Sequence, residues 1–300
     1  MSESSTKILL SKFSKRIKGI KDDVGIVSLP QDSETTLRTI TNTEITYRFA
    51  YARAKDCQVF GDNGQDYLTL NYHSDALIFA LCDGVSQSYY GEIAARYLGD
   101  TLCDCLAHRI PAGYDPEMIR TALTAALQEA VPAAKELVDS HKIPVDIPEM
   151  LRSVLAEKKK IGSESTFVCG RIDLSGKNYP AGRVILAWLG DSRLRIWDST
   201  QEVTDRLKGE FDTRQRWSSR QGTIGSHVHV YAAKLGGSEG VRRLLAYTDG
   251  LNSLDQLTKL SPDHKIQDLV NQAGNLPTSD DIAFLEILLE PWKTELADLV

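Results

Sequence analysis

From residue 45 onward, short apolar runs alternate with polar turns along most of the chain. Several of these runs are bounded by Asp, Gly or Asn and are rich in β-branched and aromatic residues, a pattern typical of β-strands. The predicted strands are 45–54, 67–72, 76–82, 166–173, 184–189, 193–198, 244–248 and 282–289.

Two longer stretches have the periodicity of helices. Residues 90–108 and 116–140 carry apolar side chains three and four positions apart, and 147–160 predict a third helix. Strands and helices come in separate blocks and do not alternate strictly. This order favours an α+β fold with antiparallel sheets over a doubly wound parallel sheet.

The first 44 residues have a different pattern. Six basic residues and no acid lie between Lys7 and Lys21, with apolar residues spaced for one helix face. Two interpretations stay open: a simple tail, and a helix that docks a partner or a membrane surface. Residues 22–44 are expected to be a linker or a strand-poor loop. We therefore predict an extension over 1–44, one domain over 45–290 and a tail over 291–300.

Composition and charge argue against several classes of protein. The chain has 300 residues, of which 42% are hydrophobic and 25% charged, as in ordinary globular proteins. A net charge of −6 argues against a nucleic-acid partner. Apolar runs such as 77–82 and 184–189 are far shorter than the roughly 20 residues of a membrane span. An odd number of cysteines without paired spacing favours a reducing, cytoplasmic location.

Carboxylates occur where predicted strands end or begin. Asp83, Asp191 and Asp249 each follow an apolar run, and Asp280 opens the last one. In antiparallel sheets, the end of one strand lies beside the start of its neighbour, so these side chains can meet at one edge. Clustered carboxylates repel each other unless cations neutralise them, and Mg²⁺ and Mn²⁺ prefer oxygen ligands. Taken singly, each Asp is also an ordinary turn residue.

The order of these motifs resembles a known family. Residues 187–197 contain GDSR between strands, 244–251 contain TDGL, and 279–287 contain SDD before a strand. Together with 83–95 and 164–172, they resemble the metal-dependent protein phosphatases of the PP2C type, especially the bacterial members. The resemblance covers about 45–290 and implies a sandwich of two antiparallel sheets flanked by helices on both faces.

The resemblance also implies a binuclear metal site. By motif position, Asp83 would bridge two Mn²⁺ or Mg²⁺ ions and the carbonyl of Gly84 would bind one of them. Asp249 and Asp280 would bind the other ion. In several family members, the residue that matches Asp191 helps to hold a third, weaker ion.

The implied reaction is hydrolysis of phosphoserine and phosphothreonine in proteins by direct attack of a water that bridges the metals. Asp66 would hold metal-bound water, so the predicted catalytic residues are Asp66, Asp83, Asp249 and Asp280. The implied partners are a phosphorylated substrate protein and a Ser/Thr kinase that the phosphatase opposes. The alternative is a binding or regulatory protein that keeps the fold without turnover.

The sequence departs from the family pattern in ways that affect substrate binding. Gly61 stands where many members carry a phosphate-binding Arg, and Arg53 on the preceding strand is a candidate replacement. Ser86 and Gln87 follow the DGV motif; they either contact substrate or cap the next helix. Asp281 stands where Asn is usual, which adds a charge beside the cluster.

The segment 199–240 lies where family members carry a variable flap near the active site. It contains Trp217, Arg214, Arg216 and Arg220 among polar residues. Two interpretations stay open: a surface for a phosphopeptide, and a loop packed on the domain.

Overall fold

The computed structural model describes residues 24–289 except 43, 74, 111, 112, 114, 238 and 260. These residues form two antiparallel sheets, with strand orders β1-β4-β5-β6-β7-β11 and β2-β3-β13-β12-β8. A short hairpin, β9–β10, joins the first sheet through β6. The strands are β1 (Val24–Ser28), β2 (Thr35–Thr41), β3 (Ile45–Ala52), β4 (Tyr67–His73), β5 (Ala76–Gly84), β6 (Glu164–Asp173), β7 (Arg183–Leu189), β8 (Arg193–Trp197), β9 (Arg216–Ser218), β10 (Gly222–Ile224), β11 (His229–Lys234), β12 (Arg243–Tyr247) and β13 (Ile282–Leu289).

Helices cover the outer faces of both sheets. The helices are α1 (Lys55–Phe60), α2 (Gly91–His108), α3 (Pro116–Glu129), α4 (Val131–Ser140), α5 (Glu149–Ile161) and α6 (Asp263–Gly274), with 3-10 turns at Thr204–Leu207 and Asp249–Gln256. Apolar side chains of α2, α3 and α4 pack on the first sheet, and those of α6 pack on the second. No helix within the described ranges is long and apolar enough to cross a membrane.

The largest core lies between the two sheets. Strand residues such as Phe79 and Leu186 from the first sheet meet Leu285 and Ile287 from the second, and all four are fully buried. Burial of apolar surface from both sheets is the main force that holds this layered arrangement together. The predicted fold class, an α+β sandwich of two antiparallel sheets between helices, is confirmed.

The expectation of a linker over 22–44 is wrong, because β1 and β2 lie in this stretch and pair with β4 and β3. Four of the seven residues of β2 are Thr, and most of its side chains are exposed or half-buried, so its apolar signal is weak. Residues 1–23, including the basic segment predicted to be a helix, and the tail at 290–300 lie outside the described residues.

The helix predicted over 116–140 is divided into α3 and α4 at Ala130. Pro132 has no N–H group to donate to the carbonyl four residues earlier, which interrupts the hydrogen-bond ladder. Both helices still pack apolar side chains against the first sheet, through residues such as Leu123, Leu127 and Ala134.

Candidate metal centre

The ends of four strands bring carboxylates to one end of the sandwich. Asp83 is the penultimate residue of β5, and Asp191 lies in the turn between β7 and β8 that crosses from the first sheet to the second. Asp249 begins the 3-10 turn soon after β12, and Asp280 lies just before the neighbouring strand β13. Antiparallel pairing places the end of β12 beside the start of β13.

The mutual electrostatic effects of these carboxylates show that they lie close together. Burial, and then the charges of Asp249 and Asp191, raise the pKa of Asp83 well above its usual range. Burial, followed by the charges of Asp280 and Asp191, raises the pKa of Asp249. Burial also raises the pKa of Asp191. The structure therefore brings the predicted metal-binding carboxylates into one electronegative site, in which an ionised form is disfavoured without a nearby cation.

Asp66 lies next to this cluster, just before β4, and is 2% exposed. Burial and the charges of Asp83 and Asp281 raise its pKa, while a hydrogen bond from the Thr248 hydroxyl acts in the opposite direction. Its Oδ2 atom is buried and has no hydrogen-bond partner among the described residues. Because a buried carboxylate oxygen normally accepts a hydrogen bond, this atom is available to a water at the cluster.

Asp281 has a structural role that the sequence did not reveal. Its side chain is buried, Oδ1 accepts the N–H of Ala54 at 2.6 Å, and Oδ2 accepts the N–H of Gln65 at 2.6 Å. The carboxylate thus fixes both ends of the loop that leads to Asp66. Burial raises the pKa of Asp281, and the two backbone hydrogen bonds oppose that shift.

Glycines allow the backbone to approach closely beside Asp83. A Cβ on Gly84 would lie 2.5 Å from the carbonyl carbon of Gly91 and 2.7 Å from the carbonyl oxygen of Gln65. Because Gly84 has no Cβ, the first turn of α2 can lie directly against the end of β5. Ser163 caps this turn from another element, since its Oγ accepts the N–H of Ala94 at 3.0 Å and donates to the Tyr90 carbonyl at 2.8 Å.

Thr248 and Gln31 also support the site. The Thr248 hydroxyl accepts the N–H of Ala283 at 2.9 Å, which ties the end of β12 to β13 beside Asp249. Gln31 donates from Nε2 to the carbonyl of Asp66 at 3.2 Å. Because Thr248 directly precedes Asp249, the sequence could have indicated its place at the site. Nothing in the sequence around Gln31 indicated its contact with Asp66.

The donor set fits a hard divalent cation. All the clustered side chains offer carboxylate oxygens, the ligands that Mg²⁺ and Mn²⁺ prefer, and the partnerless Oδ2 of Asp66 lies beside them. Within the described ranges, however, no three His, Cys, Asp or Glu side chains stand in a geometry that would hold an ion. The chemistry of the ligands is therefore present, and the coordination geometry is not preformed.

Arg53 lies beside the loop that Asp281 holds. Its Nε donates to Glu34 Oε1 at 2.8 Å and its Nη1 donates to the carbonyl of Asp62 at 3.0 Å, so loop contacts engage the guanidinium. Gly61 ends α1 with φ of +74°, a backbone conformation that strains residues with a side chain. Local geometry thus disfavours an arginine at position 61.

Ser86 is exposed in the turn after Gly84, and its carbonyl accepts a hydrogen bond from Lys158 Nζ at 3.0 Å. The alternative in which Ser86 or Gln87 caps the next helix is wrong. Helix α2 begins only at Gly91, and no side chain of its N-cap residue makes the capping hydrogen bond. Substrate contact by Ser86 stays a prediction.

Trp217 does not lie on the surface of the segment 199–240. Its side chain is fully buried under α3, and its Nε1 donates to the carbonyl of Leu127 at 3.0 Å. The arginines of this segment all pair with carboxylates: Arg206 with Asp198, Arg214 with Asp212, Arg216 with Glu164 and Arg220 with Asp139. The packed interpretation is therefore correct for Trp217, and this residue is unavailable to a phosphopeptide.

Comparison with known proteins agrees with this architecture. No protein-family model and no curated protein matches the sequence. Among solved structures, the serine/threonine phosphatase Stp1 from Staphylococcus aureus is 16% identical with a TM-score of 0.53, and the match covers 91% of this chain and 100% of that one. The serine-threonine phosphatase 2C from Toxoplasma gondii is 13% identical with a TM-score of 0.53 and coverages of 89% and 99%. The S. agalactiae serine/threonine phosphatase is 16% identical with a TM-score of 0.51 and coverages of 89% and 100%.

The chain has the PP2C-type fold. The resemblance predicted from the motifs is confirmed at this level, and it extends over nearly the whole length of the matched structures. At 13 to 16% identity, the likeness shows the fold alone. Activity has to be argued from the site.

Proposed function

We propose that this chain is a Mn²⁺- or Mg²⁺-dependent phosphatase of phosphoserine and phosphothreonine in proteins. The observation that supports it is that carboxylates from strands of both sheets meet at one end of a PP2C-type sandwich, where partial burial and mutual repulsion raise the pKa of Asp83 and Asp249. A protein has no electrostatic reason to keep such a cluster unless cations offset the repulsion. Bound divalent ions supply a water of lowered pKa and neutralise charge on the phosphoryl oxygens.

The proposed ligands are those that the motifs predict. Asp83, the carbonyl of Gly84, Asp249 and Asp280 would hold the two ions. Asp191 would contribute to a third site. The sheet pairings of β5 and β12 set the backbone positions from which Asp83 and Asp249 would reach the ions.

Residues around the proposed ligands position the attacking water. The unpartnered Oδ2 of Asp66 accepts a hydrogen bond from the attacking water and orients it. Asp281 and Thr248 keep Asp66 in place through the loop and the strand end. In hydrolysis, the oxygen of this water would bond to phosphorus as the P–O bond of the ester breaks. The water would lose a proton to solvent, and the serine or threonine oxygen would take one up from solvent.

The proposed substrate is a phosphorylated protein, and the phosphorylating partner is a Ser/Thr kinase. The free cysteines of the described residues, Cys82, Cys103, Cys105 and Cys169 among them, fit a reducing cytoplasmic compartment. The basic segment between Lys7 and Lys21 is a candidate docking element for a partner or a membrane surface.

A second candidate is a binding protein without turnover. Two observations favour it. Within the described residues, no three potential ligand side chains stand in a metal-binding geometry. The guanidinium of Arg53, the candidate phosphate ligand, is already bonded to Glu34. This protein would bind a phosphorylated partner or a metal without hydrolysis.

Hydrolysis of p-nitrophenyl phosphate and of a phosphothreonine peptide, with Mn²⁺ and with EDTA, tests the proposal. We expect turnover with Mn²⁺ only, and its loss in Asp83→Asn. The matched control is Asp268→Asn, an exposed carboxylate on α6, which should keep wild-type rates. Metal binding by calorimetry without turnover would favour the binding protein, and metal-independent turnover would exclude the proposed mechanism.

A further inference from the structure

Three adjacent strands of the first sheet, β5, β6 and β9, carry Asp83, Glu164 and Arg216. Asp83 on β5 pairs with Thr166 on β6, and Ser165 on β6 pairs with Trp217 on β9. Arg216 directly precedes Trp217 on β9. Adjacent strands are about 4.8 Å apart, so β5 and β9, which lie on either side of β6, are separated by about 10 Å. The extended side chain of an arginine spans most of that distance.

The side chain of Arg216 shares a sheet face with that of Asp83. Leu81 belongs to the core between the sheets, and side chains alternate along a strand, so Asp83 points to the same inner face. Thr166 pairs with Asp83, so Thr166 and Glu164, two residues earlier on β6, lie on this face, and the ion pair with Glu164 places the Arg216 side chain there too. Trp217, the next residue, points to the outer face and packs under the helices.

Glu164 holds the guanidinium of Arg216 at this edge. Arg216 Nε donates to Glu164 Oε2 at 2.5 Å, and the Glu164 side chain is 6% exposed. The Glu164 carbonyl accepts the N–H of Val85 at 2.9 Å, and its own N–H donates to Ser88 Oγ at 3.1 Å. Glu164 therefore links Arg216 to the turn that directly follows Asp83 and Gly84.

The guanidinium keeps donors for a ligand. Nε is used by Glu164, and the other contact that the structure gives this group is a long one of 3.5 Å from Nη1 to the Thr213 carbonyl. About a third of the side chain is exposed. An arginine has five N–H donors in a planar fork that matches phosphate oxygens, so the Nη groups suit a phosphate at the mouth of the site.

We propose that Arg216 binds the phosphate of the substrate and that Glu164 is its positioning residue. The proposal rests on the proposed phosphatase function and explains how the site manages with Gly61. Neighbouring arginines are less suited. Arg214 is highly exposed and bonded to Asp212, and Arg220 is paired with Asp139 and the Lys159 carbonyl.

The test combines turnover with phosphate binding in the Mn²⁺-loaded protein. Arg216→Ala should raise KM for a phosphothreonine peptide and the inhibition constant of inorganic phosphate about tenfold or more, because a charge-assisted pair is lost. We expect kcat to change less than KM, and Arg216→Lys to recover part of the loss. Arg214→Ala, the matched control, should leave both constants unchanged. Thermal unfolding checks that each variant is folded.

Direct calorimetric binding of inorganic phosphate separates this proposal from the proposed function. If wild-type protein hydrolyses the peptide but Arg216→Ala has unchanged KM and phosphate affinity, only the role of Arg216 is overturned. If wild-type protein shows no turnover, the phosphatase proposal fails. The role of Arg216 as a phosphate ligand is then supported if Arg216→Ala loses phosphate binding, and it is overturned if phosphate binding is unchanged. An equal effect of Arg214→Ala would show that general surface charge causes the change, and this would overturn the proposal.

Discussion

Asp280 and Asp281 are neighbours in sequence, but the structure gives their carboxylates different surroundings. Asp280 is exposed, and its Oδ1 accepts the N–H of Asp281 at 2.8 Å. Asp281 is 4% exposed and bonded to the backbone of Ala54 and Gln65. Successive residues at the start of a strand point in opposite directions, so one carboxylate faces the open end and the other faces the loop.

Removing the Asp281 carboxylate should destabilise the metal-free protein. Asp281→Ala leaves the N–H groups of Ala54 and Gln65 without their acceptor, and we expect the free energy of unfolding to fall by about 2–3 kcal/mol. Asp281→Asn keeps one acceptor and should lose about half as much. Urea unfolding in EDTA measures both, with Asp268→Ala as an exposed control. Unchanged stability in Asp281→Ala would mean that the loop does not depend on these hydrogen bonds.

Glu92, in the first turn of α2, should make stability depend on pH. Burial raises its pKa from 4.5 to about 7, so the folded state binds a proton that the unfolded state has released. This contribution to stability is fully present below about pH 4.5 and is lost as the pH rises through about 7. The free energy of unfolding should therefore decline over this interval.

The Gln variant isolates that contribution. In metal-free protein, Glu92→Gln should show a shallower decline in melting temperature between pH 5 and pH 8 than wild type. Glu136→Gln, exposed on α4, should retain the wild-type slope. Parallel curves for wild type and Glu92→Gln would show that other groups cause the dependence.

At the scale of elements, the strands with strong apolar patterns were predictable, whereas the edge strands β1, β2 and β11 were not. The prediction of 282–289 coincides with β13, and 67–72 falls within β4. Strand β13 is buried along its whole length, and all its side chains except that of Glu286 are apolar. Strand β2 pairs on one side only, and its identity as a strand depends on contacts with β3 that no local pattern shows.

The junction of β5 and α2 depends on glycine at position 91. A Cβ there would lie 2.7 Å from the carbonyl carbon of Gly84, and neither backbone can move without shifting Asp83. We expect Gly91→Ala to lower the free energy of unfolding by about 1–3 kcal/mol and to reduce turnover by displacing the strand end. Gly25→Ala is the matched control, because a Cβ at that position meets no atom within 4 Å.

Chemical denaturation and initial rates with Mn²⁺ measure the two effects. Gly25→Ala should keep wild-type stability and rates. Normal turnover in a destabilised Gly91→Ala would show that the close approach serves packing alone and does not position Asp83.

At the scale of the whole molecule, the candidate site draws on residues from Asp66 to Asp281, which only the closed sandwich brings together. The sequence predicted the shared edge, because antiparallel pairing sets strand ends beside strand starts. It could not predict which side chains turn inward to hold loops, as Asp281 does, or that Glu164 on β6 bonds to Arg216 on β9. Such contacts depend on the register between strands that are distant in sequence.

The last prediction concerns the repulsion stored in the metal-free site. Burial and the charges of Asp249 and Asp191 disfavour the ionised form of Asp83, so the neutral side chain in Asp83→Asn should relieve strain. In EDTA at pH 8, we expect Asp83→Asn to melt at a higher temperature than wild type.

With Mn²⁺ the order should reverse, because an ion that binds only the folded state stabilises it by mass action. At an ion concentration 100 times Kd the gain is about 2.7 kcal/mol, and the variant should lose most of it together with a bridging ligand. Thermal unfolding in EDTA and in Mn²⁺ measures the melting temperatures of wild type and variant under both conditions. Asp268→Asn should follow wild type in both conditions. A variant that melts below wild type in EDTA, yet gains as much from Mn²⁺, would show that Asp83 is neither a source of repulsion nor a metal ligand.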